Sequence, residues 1–381
     1  MNNPLKKLVL TNEDTLTEVV NCLAKHIPIN STGAGDPQHL FKILVRAASK
    51  QDTIENTSKE LKKATSGNNI RYHLSKISDF KQLEIQVNLA LKNKIPKGLK
   101  KKNLVVAIDL NLIPYYGKPQ DSEKPYIYRS KAKDGTCSFY AYATLYTITK
   151  GKRVTLAIRG VRWQDTKVAI LTYLLAELSS LKIKVKRLYL DREFFSITVI
   201  RWLQALGIPL IMPAIRRGKK GGIKQFLKGR KSYKTNYTMS KTKENFVTFE
   251  IWIICKYKKG KRGQNGIEYY VYVTHKIATS LSHIHQCYRQ RFGIETSYRL
   301  KNLCRIRTTT KKPTLRLLFV GISFLLVNIW VNLLWRKISQ PRRGGRLIYR
   351  KLFPLKQMLS FLNQTVEGIF EVVEDIYIPL E

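Results

Sequence analysis

Two carboxylates stand where chemistry is easiest to place. Leu104-Val105-Val106-Ala107-Ile108-Asp109 and Leu188-Tyr189-Leu190-Asp191 each read as an apolar strand ending in an aspartate. Strand ends in an open α/β sheet face the crevice where ligands bind. Two such carboxylates side by side offer the hard oxygen donors that magnesium prefers. Hydrolysis of a phosphodiester by two metal ions needs carboxylates holding the ions about 3.5–4 Å apart. Two aspartates rarely suffice, so a third acid is expected from elsewhere. Glu295 is the best placed. On a helix, Tyr288, Arg291, Glu295 and Arg299 lie three or four residues apart and share a face, one carboxylate among cations and a phenol. The same pattern suits a solvated face with an Arg–Glu pair, which contributes little. Glu193, two residues past Asp191, is the substitute if Glu295 points elsewhere. Asp165 reads as a helix N-cap, and Glu250 and Glu268 as structural acids.

Charge names the class of partner. The chain has 381 residues, with 69 lysines and arginines against 26 acids, a formal net charge of +43 spread along its length. An excess this large opposes compaction by self-repulsion, so a polyanion is expected to bind. Nucleic acid is the expected partner, with affinity falling steeply in salt as counterions are released. Five scattered cysteines without a CxxC pair suggest neither a zinc site nor a disulfide framework. A reducing cytoplasm fits, and Met1 to Asn12 lacks the apolar run of a signal peptide. Leu315 to Trp335 is long enough to span a bilayer. Ser323, Asn328 and Asn332 interrupt it, and basic residues at both ends give no orientation bias. It reads as the central helix of a large core, with no membrane as partner.

The elements that must position these residues follow from periodicity and punctuation. Residues 1–37 hold one helix, Asn12 to His26, with Asn12 as N-cap, and a loop. Residues 38–95 read as an all-α, helix-turn-helix-like domain of helices 38–49, 52–64, 69–77 and 80–92. The third offers Arg71, Tyr72, His73 and Lys76 to phosphates and base edges. Residues 103–215 carry strands 104–109, 137–149 and 154–159, helix 165–181, strand 185–191, helix 196–206 and strand 209–213. This βββαβαβ order predicts an α/β fold with a mixed sheet and helices on its faces. Residues 216–275 read as a β-rich insertion behind a basic loop, with strands 246–257 and 267–274. Residues 276–338 are helical again, over 282–299 and 314–338. Residues 339–381 are a basic loop and a helix over 354–374.

Tyr288, Arg291, Glu295 and Lys301 resemble the tyrosine-arginine-glutamate-lysine signature of IS4-type transposases. With Asp109 and Asp191 they resemble the DDE triad of the RNase H-like transposases and integrases. Leu190-Asp191-Arg192, Gly293-Ile294-Glu295-Thr296 and the apolar helix that follows are similar to the ISH3-type branch, and the likeness runs from about Val105 to Ile338. The family signature has six residues between glutamate and lysine. Here Lys301 follows after five, with Asn302 in the expected place and Arg299 near enough to share the role. The resemblance implies an RNase H-like catalytic domain in which Asp109, Asp191 and Glu295 hold two magnesium ions, with manganese as a substitute. It implies double-stranded DNA, element ends and target alike, as the partner, and hydrolysis of one strand at the terminal inverted repeats of a mobile element. The freed 3′-hydroxyl then attacks another phosphodiester, without a covalent protein intermediate. Tyr288 and Arg291 would sit beside the phosphate, for which the bidentate arginine fork is suited. A homodimer bridging two ends, working on the cytoplasmic nucleoid, is implied as well. Two other readings fit the residues: a nuclease of the same fold that cuts without joining, and a DNA-binding regulator with an inactive catalytic domain.

Overall fold

The computed structural model describes residues 9–29, 36–99, 102–149, 151–218, 221–258, 260–261 and 266–376. The start of the chain, and parts of the loop 27–37, the linker 94–102, the basic loop 216–234 and the turn 258–266, lie outside the described residues. Five helices come first: α1 (Asn12–His26), α2 (Pro37–Lys50), α3 (Ile54–Lys59), α4 (Gly67–Ser75) and α5 (Phe80–Asn93). The centre is built from β1 (Asn103–Pro114), β2 (Ile127–Lys133), β3 (Thr136–Thr147), β4 (Thr155–Gly160), α6 (Lys167–Ser180), β5 (Lys184–Leu190), α7 (Ile197–Ala205) and β6 (Leu210–Pro213). Then come β7 (Tyr233–Ser240), β8 (Phe246–Tyr257) and β9 (Ile267–His275). The last part holds α8 (Ile284–Arg289), α9 (Gly293–Asn302), α10 (Pro313–Arg336), the hairpin β10 (Ser339–Arg342) and β11 (Gly345–Ile348), and α11 (Leu355–Phe370).

One mixed sheet runs in the order β2-β3-β1-β5-β6-β9-β8-β7, with β4 on β3 as well. β1 is antiparallel to β3 and parallel to β5, and β5 is parallel to β6. The expected βββαβαβ order is therefore present as β1, β3, β4, α6, β5, α7 and β6. The strands of the β-rich insertion form no separate sheet: β9 pairs with β6 and carries β8 and β7 outward. β2, β7 and the β10–β11 hairpin were not foreseen. Their exposed residues are mostly polar, so the apolar signal of a strand is weak there.

Several boundaries move for local reasons. The first helix is capped by Thr11 in a capping box with Asp14, not by Asn12. The second helix of the expected helix-turn-helix ends at Lys59 rather than Ala64. The backbone beyond it turns to meet the end of α11, where Lys62 and Lys63 N–H groups donate to Glu371 and Phe370 carbonyls. α3 is capped by Thr53, and α6 by Thr166. Asp165 instead accepts from Arg162 N–H at 2.9 Å and lies 3.6 Å from Arg159.

α10 is buried along nearly its whole length, and its polar residues have assigned work. Among the described residues β4 pairs only with β3, an arrangement that leaves backbone groups on its other edge needing partners. Asn328 supplies one set: it accepts from Thr155 N–H at 3.0 Å and donates to Thr155 C=O at 2.7 Å. Asn88 of α5 does the same for Ile158 at 2.8 and 2.9 Å, and Glu84 accepts from Gly160 N–H at 2.6 Å. Ser323 donates to Cys304 C=O and Asn332 to Lys94 C=O.

The beginning and end of the described chain are tied together. α11 packs on α1 and α2. Arg46 of α2, fully buried, reaches Glu60 at 2.7 Å and Glu367 of α11 at 2.9 Å, and Leu61 bridges to Val372.

Candidate active site

β1 and β5 pair at Ala107↔Tyr189 and Ile108↔Leu190, so Asp109 and Asp191 stand one step further along neighbouring strands. Strand alternation sends Ala107 with Asp109, and Tyr189 with Asp191, to one face. Ala107 and Tyr189 are buried there against Ile284, Tyr288 and Ile294, the face that α8 and α9 cover. The expectation that β1 ends at Asp109 is corrected: it continues along β3, from Asp109↔Thr144 to Pro114↔Phe139. What ends is its parallel neighbour. Beyond Leu190 the chain leaves the sheet, and the Asp191 carboxylate caps a 3₁₀ turn over Arg192–Phe194, accepting from Arg192 N–H at 2.7 Å. The departure of β5 opens the space beside Asp109.

The helical face arrives by two contacts. The Tyr288 hydroxyl donates to Leu190 C=O at 3.1 Å, and its ring meets Tyr189 edge-on at 5.9 Å. Arg291, only 7% exposed, donates from Nη1 to Asp109 Oδ2 at 3.3 Å, while its Nη2 lies 3.5 Å from Glu295 Oε1. Its Nε is buried without a partner. The expected unbroken helix 282–299 is instead α8, a 3₁₀ turn over Gln290–Phe292, and α9. Burial pushes the Asp109 carboxyl up to about 6, the Arg291 guanidinium opposes that rise, and the charges of Asp191 and Glu193 add to it. Burial likewise pushes the Tyr288 phenol up, so it stays protonated as a donor.

Asp109, Asp191, Tyr288 and Glu295 all stand within electrostatic reach of Arg291, and Glu193 within reach of Asp109. The other expected residues do not join them. Arg299 is exposed further along α9. Lys301, expected at a phosphate, is 3% exposed with its ammonium 5.7 Å from the centre of the Phe324 ring. Burial and then the Arg305 charge hold that ammonium down at about 8. Arg71 and Lys76 sit on α4: Arg71 pairs with Glu55 at 2.9 Å, and Lys76 lies over the Tyr72 ring at 4.6 Å. His73, expected on the exposed side, is buried. Glu250 and Glu268 serve their own sheet, accepting from Thr274 and Tyr270.

Sequence reasoning missed Asn111. It lies two residues past Asp109 on the same face of β1, 8% exposed, with its Nδ2 unpartnered. Extending the period-two reading past Asp109 would have found it. It also missed the lock between the Thr144 and Tyr298 hydroxyls, 2.7 Å apart, which fastens α9 to β3 behind Asp109.

A family model described as "Transposase DDE domain" matches residues 100–329, more than half of the chain. The chain belongs to the transposase DDE domain family. Among solved structures, a cryo-EM structure of the piggyBac transposase synaptic complex with hairpin DNA is similar to it. The TM-score is 0.59 at 13% identity, covering 97% of this chain and 82% of that one. No curated protein matches. The sheet and its preceding helices are the RNase H-like fold of DDE transposases.

In this DDE domain the donor chemistry fits a hard divalent cation, with carboxylate oxygens from adjacent strands. Among the described residues no three Asp, Glu, His or Cys side chains stand close enough to enclose an ion. Arg291 stands between two of the three acids, 3.3 Å from Asp109 and 3.5 Å from Glu295.

Proposed function

We propose that the chain is a DNA transposase that cuts the terminal inverted repeats of its own mobile element and joins the freed 3′ end to another site. The observation that supports this most is the convergence of Asp109 and Asp191 on neighbouring strands with Glu295, held through Arg291. Under this reading the three carboxylates hold magnesium, or manganese. Bound there, the metal supplies a Lewis acid and a water nucleophile of lowered pKa. Arg291, released from Asp109, turns its fork to a phosphate oxygen. Tyr288 keeps α8 fastened to the end of β5, so that Glu295 returns to the same place at each turnover. The net charge of +43 holds the duplex, and residues 38–95 are the proposed reader of the element end. Two copies bridging two ends on the nucleoid complete the reading. Leu190-Asp191-Arg192 and Gly293-Ile294-Glu295-Thr296, followed by α10, support placement in the ISH3-type branch.

The test uses duplexes carrying the element ends. Wild-type protein cuts them in magnesium and joins pre-cut ends, while Asp191→Asn binds equally well and cuts at least 100-fold more slowly. Undiminished nicking by that variant would sink the assignment. Cutting without joining would reassign the chain as a nuclease of this fold.

A further inference from the structure

An open cleft of about 870 Å³ lies between the N-terminal helices and the segment that leaves α9. One wall is α3 and α4, with Thr53, Arg71 and Ser75; the other is Asn302, Arg305, Arg307, Thr308 to Thr310 and Lys312. Residues 304–309 alternate between the two environments. Cys304 and Ile306 are buried at 0% and 1%, whereas Arg305, Arg307 and Thr309 are exposed. Outward cations two residues apart on extended chain are spaced by about 6.6 Å, comparable with successive phosphates on one nucleic-acid strand. Four cations line the cleft against one carboxylate, Glu55, which already pairs with Arg71 and Lys59. Arg305, Arg307 and Lys312 outnumber the one carboxylate of the cleft, and such an excess of like charge is relieved by a polyanion.

We infer that this cleft is a backbone clamp for the duplex, holding phosphates a few base pairs from the bond that is cut. The inference rests on the proposed transposase reading and names a surface within it. The distance follows from α9 itself. Glu295 faces Arg291 in its first turn and Asn302 lines the cleft at its end, seven residues or about 10 Å along the axis. That is about three base-pair steps of duplex at 3.4 Å each. The side chains are arginine, lysine and threonine, suited to phosphate oxygens and carrying no base code by themselves. Arg71 on the opposite wall makes α4 the far side of the same clamp.

The experiment measures binding of the full chain to an end-containing duplex over a range of salt, for wild type and for Arg305→Ala/Arg307→Ala. Both side chains are exposed, and unchanged thermal melting confirms that the variant is folded. Loss of two phosphate contacts lowers the magnitude of the log K against log[salt] slope by about 2, with binding at low salt weakened on the order of 10-fold or more. Trimming the duplex to fewer than about three base pairs on one side of the cut brings wild type and variant together. An unchanged slope in the variant, with normal wild-type binding, overturns the clamp alone. A lost contact that maps more than a helical turn from the cut overturns its placement. A wild-type chain that binds no duplex overturns the transposase reading and the clamp with it.

Discussion

Arg291 is the residue on which the site turns. A guanidinium at 3.3 Å from Asp109 and 3.5 Å from Glu295 keeps two carboxylates close that would otherwise repel. Replacing it with an apolar side chain of similar length leaves the half-buried Asp109 charge unmatched. Arg291→Met should therefore cost about 1–3 kcal/mol of stability in metal-free buffer at neutral pH. Magnesium should raise the melting temperature of the variant more than that of wild type, because the ion then supplies the missing positive charge. Equal shifts in differential scanning fluorimetry would show that the guanidinium and the ion do not share a place. Lys301 is the opposite case, a cation with no ion pair to a carboxylate among the described residues and its proton affinity reduced to about 8 by burial and by Arg305. The unfolded lysine titrates near 10.4. Below pH 8 the folded state thus carries a charge it disfavours, and the penalty is relieved as pH rises from about 8 to about 10.4. Lys301→Met should be more stable than wild type at pH 7 by up to about 3 kcal/mol, with the gap closing above pH 10 in urea denaturation. A gap independent of pH would assign the effect to packing.

At the scale of elements, β4 is held by helices in place of a neighbouring strand. Asn328 satisfies both backbone groups of Thr155. Asn328→Leu strands a buried N–H and C=O and should cost about 2–4 kcal/mol, read as a lower urea midpoint with an unchanged slope. A loss under 0.5 kcal/mol would mean that the edge finds other partners. These elements also show what was legible. Asp109 and Asp191 were found because an apolar run stopping at an aspartate is a local signal, and the spacing of Tyr288, Arg291 and Glu295 is a helical one. That Asn328 interrupts an apolar helix was equally visible, but its partner lies 173 residues away, and no local pattern reports such a contact. β1 was cut short at Asp109 because a carboxylate interrupts the apolar run there, although Leu110, Leu112 and Ile113 resume it. Pairing with β3 carries the strand on to Pro114, and Asn111 was lost with that stretch. α3 was drawn too long because Leu61 to Ala64 suit a helix; their backbone is drawn instead to the end of α11.

For the whole molecule, charge sets two opposite responses to salt. With 69 basic against 26 acidic residues, screening relieves self-repulsion in the fold while weakening any hold on a polyanion. The melting temperature should rise between about 20 and 300 mM sodium chloride, over which the Debye length falls severalfold, while duplex affinity falls. A melting temperature that drops along the same series would mean that the native ion pairs outweigh the repulsion.

The tie between the two ends of the chain also bears on the order of synthesis. A chain emerging from the ribosome presents α1 and α2 well before α11. Until residues beyond Leu355 appear, Arg46 has only Glu60, and the apolar faces that α11 covers stay bare. The layer of α1 and α2 thus stays unfinished until α11 emerges, although its own residues are made well before it. A product that stopped short of α11 would lack the partner against which α1 and α2 pack.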